Sequence, residues 1–333
     1  MWRKGMICVL AGLLLWASTG YAVELSSEQQ SAKERGITLY NQYKAISATP
    51  FLEVAAEAGD REAQFYLGEA LRQNNFFMTS EARQWLEAAA NQGYVYAMIR
   101  LVRSGANLCA VAGNCPQGSK TPGEWWQQAH DLALPLTEQG DPEAMFQMYK
   151  ITGDTDWLVK AAEAGHAQSQ YMYASFINDG LGFYWWPGSR QQAVEKWYQA
   201  SAEGGYPPGM QRYAGILSQR NDHEGQRYWL RKAAEKGYAS SVFNYAWTYI
   251  ERYQEQNNEE DLIKAYGLIS LLLELDGGGS PNQGVAKWEL AEIAEQTHIT
   301  PEQIAQAQVF ASEWKASHPP LSFFPEILHP FDN

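Results

Sequence analysis

The residues of this 333-residue chain that could take part in chemistry are few and scattered. Ser312 and Lys315 form an S-x-x-K sequence, the spacing with which penicillin-recognising enzymes place an acylating serine beside a lysine. The companion sequences K-T-G and S-D-N are missing from the chain. A chance match is therefore the favoured interpretation of this motif.

Other catalytic and metal-binding patterns are also missing. The sequence contains no Walker loop, no dinucleotide fingerprint, no G-x-S-x-G and no H-E-x-x-H. Acidic residues such as Asp141 with Glu143, or Glu259 with Glu260, stand where helices are predicted to start, and there negative charge suits the helix dipole. We therefore predict a protein that is not an enzyme and that has no catalytic residues, no cofactor and no metal site.

Two cysteines, Cys109 and Cys115, flank the short sequence AVAGN. In an oxidising compartment this spacing predicts a short-range disulfide, and two free thiols are the alternative. A zinc site would need more ligands than these two residues supply.

The N-terminus has the layout of a secretory signal. Arg3 and Lys4 precede an apolar run from Met6 to Trp16, and Gly20-Tyr21-Ala22 offers small residues at a cleavage site. We predict a cleaved signal peptide over residues 1–22, with an uncleaved anchor as the alternative. No later segment is long and apolar enough to predict a membrane span.

The chain is acidic, with a formal net charge of −13 that becomes −15 if Arg3 and Lys4 are removed. Such a charge disfavours nucleic acid and anionic lipid surfaces as partners, because both are themselves negative. It favours a basic protein partner, although ordinary solubility would also explain it.

One phrase recurs along the chain and predicts the elements that must position any functional residue. Residues 52–68 read LEVAAEAGDREAQFYLG and residues 158–174 read LVKAAEAGHAQSQYMYA, with further copies at 86–101, 134–150, 198–214 and 230–246. In each copy a helix ends at a glycine suited to the left-handed conformation, and a second helix follows. A single hairpin cannot bury its apolar face alone, so the hairpins must stack. The pattern predicts an all-α fold, a right-handed α-solenoid of stacked antiparallel helix pairs.

The chain divides around this array. We predict an N-terminal capping helix over 23–49, a repeat array over 50–258 with loop insertions at 105–123 and 178–189, closing helices over 259–317, and an extended, proline-punctuated tail over 318–333.

The aromatic residues fall into two groups. Four tryptophans occupy the same repeat position and are predicted to be structural: Trp85, Trp157, Trp197 and Trp229. Four consecutive aromatics lie in the second insertion, outside the repeat frame: Phe183, Tyr184, Trp185 and Trp186. Aromatic loops are favoured anchors at interfaces, so this second group is a candidate protein-binding site. The alternative is that the loop packs on its own helices.

The repeat matches a known motif, A-A-x-x-G-[DHY]-x-x-A-Q-x-x-[LY]-[GA]. The first match consists of Ala55, Ala56, Gly59, Asp60, Ala63, Gln64, Leu67 and Gly68. The second consists of Ala161, Ala162, Gly165, His166, Ser169, Gln170, Tyr173 and Ala174, with serine in place of one alanine. Over residues 50–316 the chain therefore resembles the Sel-like repeat family, a branch of the tetratricopeptide-like superfamily. The resemblance implies a solenoid that binds other proteins.

The same resemblance implies more specific functions. Some exported Sel-like repeat proteins of Gram-negative bacteria are immunity partners of type VI secretion lipase effectors, notably phospholipase D-type toxins. It therefore predicts a periplasmic immunity protein whose partner is a secreted lipase toxin. A scaffold in an envelope or polysaccharide export assembly is the alternative. A penicillin-binding enzyme is less favoured, because relatives with that proposed activity carry a disulfide in nearly every repeat.

Overall fold

A computed structural model describes residues 24–104, 119–275 and 282–328, and in these ranges the chain forms sixteen α-helices and no strand. The first eight are α1 (Ser27–Asn41), α2 (Ala45–Glu57), α3 (Arg61–Asn75), α4 (Ser80–Asn91), α5 (Val95–Arg103), α6 (Pro122–Glu138), α7 (Pro142–Thr152) and α8 (Thr155–Glu163). The others are α9 (Ala167–Asn178), α10 (Ser189–Glu203), α11 (Pro207–Gln219), α12 (His223–Glu235), α13 (Ala239–Gln256), α14 (Glu259–Leu271), α15 (Asn282–Thr297) and α16 (Pro301–Ser317). A 3₁₀ turn, Leu272–Leu275, follows α14.

Each repeat is a hairpin closed by a left-handed glycine. Between α2 and α3, Gly59 has φ 95°, its N–H donates to the carbonyl of Ala56 at 3.0 Å, and the next N–H, of Asp60, donates to Ala55 at 3.1 Å. This pair of bonds is the Schellman motif, which satisfies carbonyls left free at a helix end. The same pattern recurs at Gly93, Gly140, Gly165, Gly205 and Gly237. The predicted role of these glycines is confirmed.

The bonding explains the small residues of the motif. Ala55 and Ala56 supply the two carbonyls of the turn, and both side chains are fully buried, which lets the neighbouring helices approach closely. Gln64 of α3 donates its amide to the Ala56 carbonyl at 3.1 Å, and Gln170 of α9 does the same to Ala162. The motif glutamine therefore ties the second helix of a hairpin to the end of the first.

The hairpins stack in chain order. Each helix packs mainly on the helices before and after it, and α14 packs against α16 at the C-terminal end. Trp85, Trp197 and Trp229 pack against the buried clusters between helices, as expected of structural residues. The predicted all-α solenoid is confirmed.

A buried ion pair sets the register of two neighbouring hairpins. Arg100 of α5 and Glu69 of α3 are 1% and 0% exposed, and Nε lies 2.8 Å from Oε1. Arg72 binds the other oxygen of Glu69 at 3.3 Å. Burying a charge is costly unless it is paired, so the pair favours the one alignment of α3 and α5 that brings it together.

The N-terminal segment differs from its prediction. One capping helix was predicted over 23–49, whereas the structure contains α1 and the first residues of α2 there. The chain turns between them because Tyr43 adopts a left-handed conformation, with φ 59°.

The C-terminal segment runs back across the array. The N–H of Ser322 donates to the carbonyl of Gly237 at 2.8 Å, and the Ser322 carbonyl accepts from the N–H of Ala239 at 3.0 Å. The next N–H, of Phe323, donates to the carbonyl of Asn41 at 3.0 Å. The tail therefore joins the turn between α12 and α13 to the turn between α1 and α2.

The same segment reaches the middle of the array. Glu326 contacts Lys150 of α7 at 3.0 Å, and Leu328 is fully buried in a cluster with Phe65 of α3. Eight residues, 321–328, would span at most about 28 Å even if fully extended. Hairpins from the beginning, middle and end of the array all lie within that reach. The solenoid is therefore curled around the tail, which lies on its concave side.

Two glycine substitutions should separate the cost of the turn from the cost of tail contact. A Cβ at Gly165 meets no atom within 4 Å, whereas one at Gly237 would lie 2.5 Å from the Pro320 carbonyl. Both glycines are left-handed, so Gly165→Ala should lower the free energy of unfolding by about 1–2 kcal/mol. Gly237→Ala should lower it further and expose the tail to protease. Urea unfolding and limited proteolysis measure both effects, and equal effects with a protected tail would contradict the tail contact.

Candidate protein-binding surface

The aromatic insertion forms a structured loop between α9 and α10. It spans residues 179–188, and three of its glycines have positive φ: 117° at Gly180, 77° at Gly182 and 83° at Gly188. These conformations are readily available to glycine and strained for other residues. The loop therefore folds sharply beside the two helices that it connects.

Arg190, in the first turn of α10, holds the loop together. Its guanidinium donates to the carbonyls of Ile177, Leu181 and Gly182 at 2.6, 3.1 and 3.0 Å. It also lies 4.8 Å from the centre of the Tyr184 ring. The helix dipole disfavours a cation near a helix N-terminus. An arginine at this position therefore indicates a structural role, and sequence reasoning missed that signal.

The four aromatics predicted as a binding site have two different environments. Phe183, Trp185 and Trp186 are 75%, 81% and 79% exposed, whereas Tyr184 packs against the cluster that contains Ile177. The Phe183 and Trp185 rings meet edge to face at 4.6 Å. We call Phe183, Trp185 and Trp186 the aromatic knuckle, and Tyr184 belongs to the base that supports it.

A groove of about 1010 Å³ adjoins the base of the loop. It is lined by residues of α9 to α13, and Asn178 and Arg190 connect it to the loop. Sequence reasoning did not find this groove, because its walls come from three successive hairpins.

The charged lining of the groove is nearly balanced, with three arginines against two glutamates: Arg190, Arg212, Arg220, Glu195 and Glu251. Arg220 and Glu195 form a bidentate ion pair across the groove wall. Arg212 bonds to the Tyr171 hydroxyl, which raises the pKa of its guanidinium. The acidity of the chain therefore lies outside the groove, on other surfaces of the array.

One side-chain cluster has the order of a hydrolase triad. His166 Nδ1 lies 2.7 Å from the Ser169 hydroxyl, and Nε2 lies 3.2 Å from a carboxylate oxygen of Glu143. Ser169 is 0% exposed, however, and its N–H donates to His166 as a helix cap at 3.3 Å. A substrate cannot reach that hydroxyl in this structure, so the cluster caps α9.

Glu143 has a larger role than its place at a helix start indicates. It binds the Tyr96 hydroxyl of α5 as well as His166 at the start of α9. Burial raises the pKa of Glu143, but the hydrogen bonds from His166 and Tyr96 outweigh it and leave the pKa below its ordinary value. The carboxylate therefore links three hairpins.

The remaining sequence candidates form no recognisable site. Lys315 of the S-x-x-K sequence is exposed and contacts Glu274, and Ser312 is an exposed residue of α16. Within the described ranges, no group of three or more His, Cys, Asp or Glu side chains converges as metal ligands would. Nor is any helix there both long and apolar enough to cross a bilayer. Cys109, Cys115 and the predicted signal peptide lie outside the described residues.

Fold and surface together define an all-α solenoid repeat protein with an aromatic knuckle. Comparison of the sequence with family models and with curated proteins found no match. Two of the solved structures to which the chain is similar are repeat proteins. One is a protective antigen of uropathogenic Escherichia coli displaying an SLR fold, 18% identical with a TM-score of 0.44, over 88% of this chain and 62% of the antigen. The other is a Sel1 repeat protein from Oxalobacter formigenes, 18% identical with a TM-score of 0.34, over 78% of this chain and 99% of that protein. Identities this low assign no function.

The loop should depend on the fork of Arg190. We expect Arg190→Lys to keep the charge but lose the simultaneous bonds to three carbonyls, because an ammonium is a point charge. The loop 179–188 should then be cleaved at least several times faster by protease, with little change in the overall melting temperature. Arg231→Lys is the matched control, since Arg231 is exposed, forms only a long surface ion pair with Glu235 at 3.6 Å and lies near the Tyr228 ring. Unchanged cleavage in Arg190→Lys would contradict this role.

Proposed function

We propose that this protein is a non-enzymatic solenoid that binds another protein through the aromatic knuckle. The observation that carries the proposal is the exposure of Phe183, Trp185 and Trp186 on a loop held by Arg190. Exposed aromatic side chains that already have a fixed base lose little entropy on binding, and such residues dominate the binding energy of interfaces. The groove beside the loop adds a polar surface that a partner segment could enter.

The more specific form of the proposal is a periplasmic immunity protein that neutralises a type VI secretion lipase of the phospholipase D type. Three features support it: the predicted signal peptide, the net charge of −13 and the Sel-like repeat motif. An acidic surface would speed the approach of a basic toxin, while the aromatic knuckle would slow its departure. Stoichiometric binding would then suffice without any catalytic group.

The alternative is a scaffold in an envelope or polysaccharide export assembly, which would use the same surface for a resident partner. A neighbouring gene for a toxic lipase favours immunity, and one for a polysaccharide synthase favours the scaffold. A penicillin-binding activity is less well supported, because Lys315 is paired with Glu274 on the outside of the last helix. Absence of a labelled-penicillin adduct would remove it.

The aromatic knuckle should control dissociation. Replacing Phe183, Trp185 and Trp186 by alanine should speed release of a purified phospholipase D-type toxin by at least about 30-fold, which corresponds to about 2 kcal/mol. Neutralising exposed carboxylates should instead slow association and weaken its salt dependence. Surface plasmon resonance separates the two rates.

The matched control replaces three exposed aromatics elsewhere in the array, Phe76, Phe77 and Trp288. If the control weakens binding as much as the knuckle variant, or the knuckle variant binds normally while well folded, the knuckle is not the interface.

The immunity form makes a cellular prediction. The full-length chain should protect cells from the toxin delivered to the periplasm, and a chain lacking Met1–Ala22 should not, because the predicted signal is then missing. Survival counts with active toxin and with a catalytically dead toxin measure this protection. Equal protection without residues 1–22 would contradict periplasmic immunity but leave protein binding intact.

A further inference from the structure

The surface that holds the C-terminal tail binds it largely through backbone atoms. Ser322 pairs with the turn between α12 and α13 in a parallel bridge with Tyr238, through the bonds to Gly237 and Ala239. On the other side, the Gln42 amide donates to the Leu321 carbonyl at 2.8 Å. Such bonds do not depend on the side chains of the bound segment, so at residues 321–323 this surface could accept another chain of the same backbone conformation, as the exposed edge of a sheet accepts a strand. We call it the tail track.

Side chains add selectivity at a few positions of the tail. Leu321 and Leu328, seven residues apart, are 4% and 0% exposed, while the residues between them are half-buried. Phe323 stacks on Tyr43 with 4.9 Å between ring centres. The track therefore favours a segment with leucine at both ends, an aromatic residue near the first, and a turn at the position of Phe324, which has φ 47°.

An acidic residue completes the pattern. Lys150 lies under the tail with its ammonium 5.1 Å and 5.6 Å from the ring centres of Phe146 and Tyr149, and it contacts Glu326 at 3.0 Å. Burial lowers the pKa of Lys150, and Glu326 opposes that shift. A buried cation needs a counter-charge, so the track selects for a carboxylate two residues before the second leucine.

The geometry points to the tail track as a second protein-docking surface, filled in cis by residues 319–328. Its occupant in trans is a partner segment that follows the same backbone path, with leucine, an acidic residue and leucine at the spacing of Leu321, Glu326 and Leu328. Within the described tail only Leu321 and Leu328 are buried, and the prolines 319 and 320 are exposed. Both leucines complete buried clusters of helical side chains, so a partner segment that replaces the tail must supply equivalent apolar side chains. The inference does not depend on the aromatic knuckle.

The tether explains why the tail is bound in the isolated chain. A segment attached through a short linker competes at an effective concentration on the order of 1 mM. Consider a free peptide that binds the empty track with a dissociation constant on the order of 10 μM. Competition from the tethered tail would weaken its apparent binding to the native chain by about 100-fold. A partner overcomes this only if it binds elsewhere on the solenoid as well.

The test uses the full-length chain with Leu321→Glu and Leu328→Glu, which removes the tail anchors and keeps the track. A fluorescent peptide of residues 319–328 should bind this variant about 100-fold more tightly than the wild type, as measured by polarisation. A peptide with the same two glutamates should not bind. Adding Gly237→Ala should abolish binding and adding Gly165→Ala should not, because only the first places a Cβ on the peptide path.

Equal binding to the wild type and the variant, or no binding to a variant that melts cooperatively, overturns the proposal. If the variant fails to fold, a protease site introduced at His318 of the otherwise native chain replaces it. After cleavage, the tail should exchange with excess labelled peptide. A cleaved tail that never exchanges, or one that leaves and is not replaced by peptide, also overturns the proposal. The Phe183, Trp185 and Trp186 alanine variant, carrying the same protease site, should exchange peptide normally, which separates this inference from the proposed function.

Discussion

The structure depends on a two-residue turn that does two jobs at once. In the turn of α2 and α3, Gly59 and Asp60 take the carbonyls of Ala56 and Ala55, and the Asp60 side chain accepts the N–H of Ala63 to cap the next helix. The end of one helix and the start of the next therefore share a single residue. This leaves little freedom in the angle between the helices. The backbone bonds of the turn recur at the other five glycines, and the side-chain cap recurs at Asp141 and His166, so the rotation from one helix to the next accumulates along the array.

Accumulated rotation brings distant parts of the chain together. A solenoid normally gains its stability from contacts between neighbouring repeats, and its ends behave independently. Here a short stretch of the tail, residues 322–326, contacts Gly237, Asn41 and Lys150, which lie far apart in the sequence. Lys44 beside the first turn also donates to the carbonyl of Glu274 near the last helices at 2.6 Å. The two ends of the array are thus linked, and their stabilities should be coupled.

The regular repeat also determines where the surfaces that we assign to partners can form. The helical hairpins bury most of their aromatic residues. A group of exposed aromatic side chains is therefore more easily placed on a loop outside the repeat, such as residues 179–188. Arg190 makes that departure rigid by bonding three carbonyls. The tail track is the converse case, because a surface that binds a chain segment through backbone bonds is already filled by the tail of the same chain. A partner could use both surfaces, one through aromatic side chains and one through its backbone.

Local interactions made much of this fold predictable from the sequence. Glycine turns, helix caps and buried alanine pairs involve residues at most eight apart, and each leaves a mark at a fixed spacing, as Ala55, Gly59 and Gln64 do. The aromatic insertion was visible because it breaks that spacing. The sequence could not decide that Tyr184 turns inward while Trp185 and Trp186 stay exposed, nor that Glu143 links three hairpins. It also could not place Leu321 beside Gln42, 279 positions away. Such contacts depend on the curvature summed over all the hairpins, and no short stretch of sequence carries that sum.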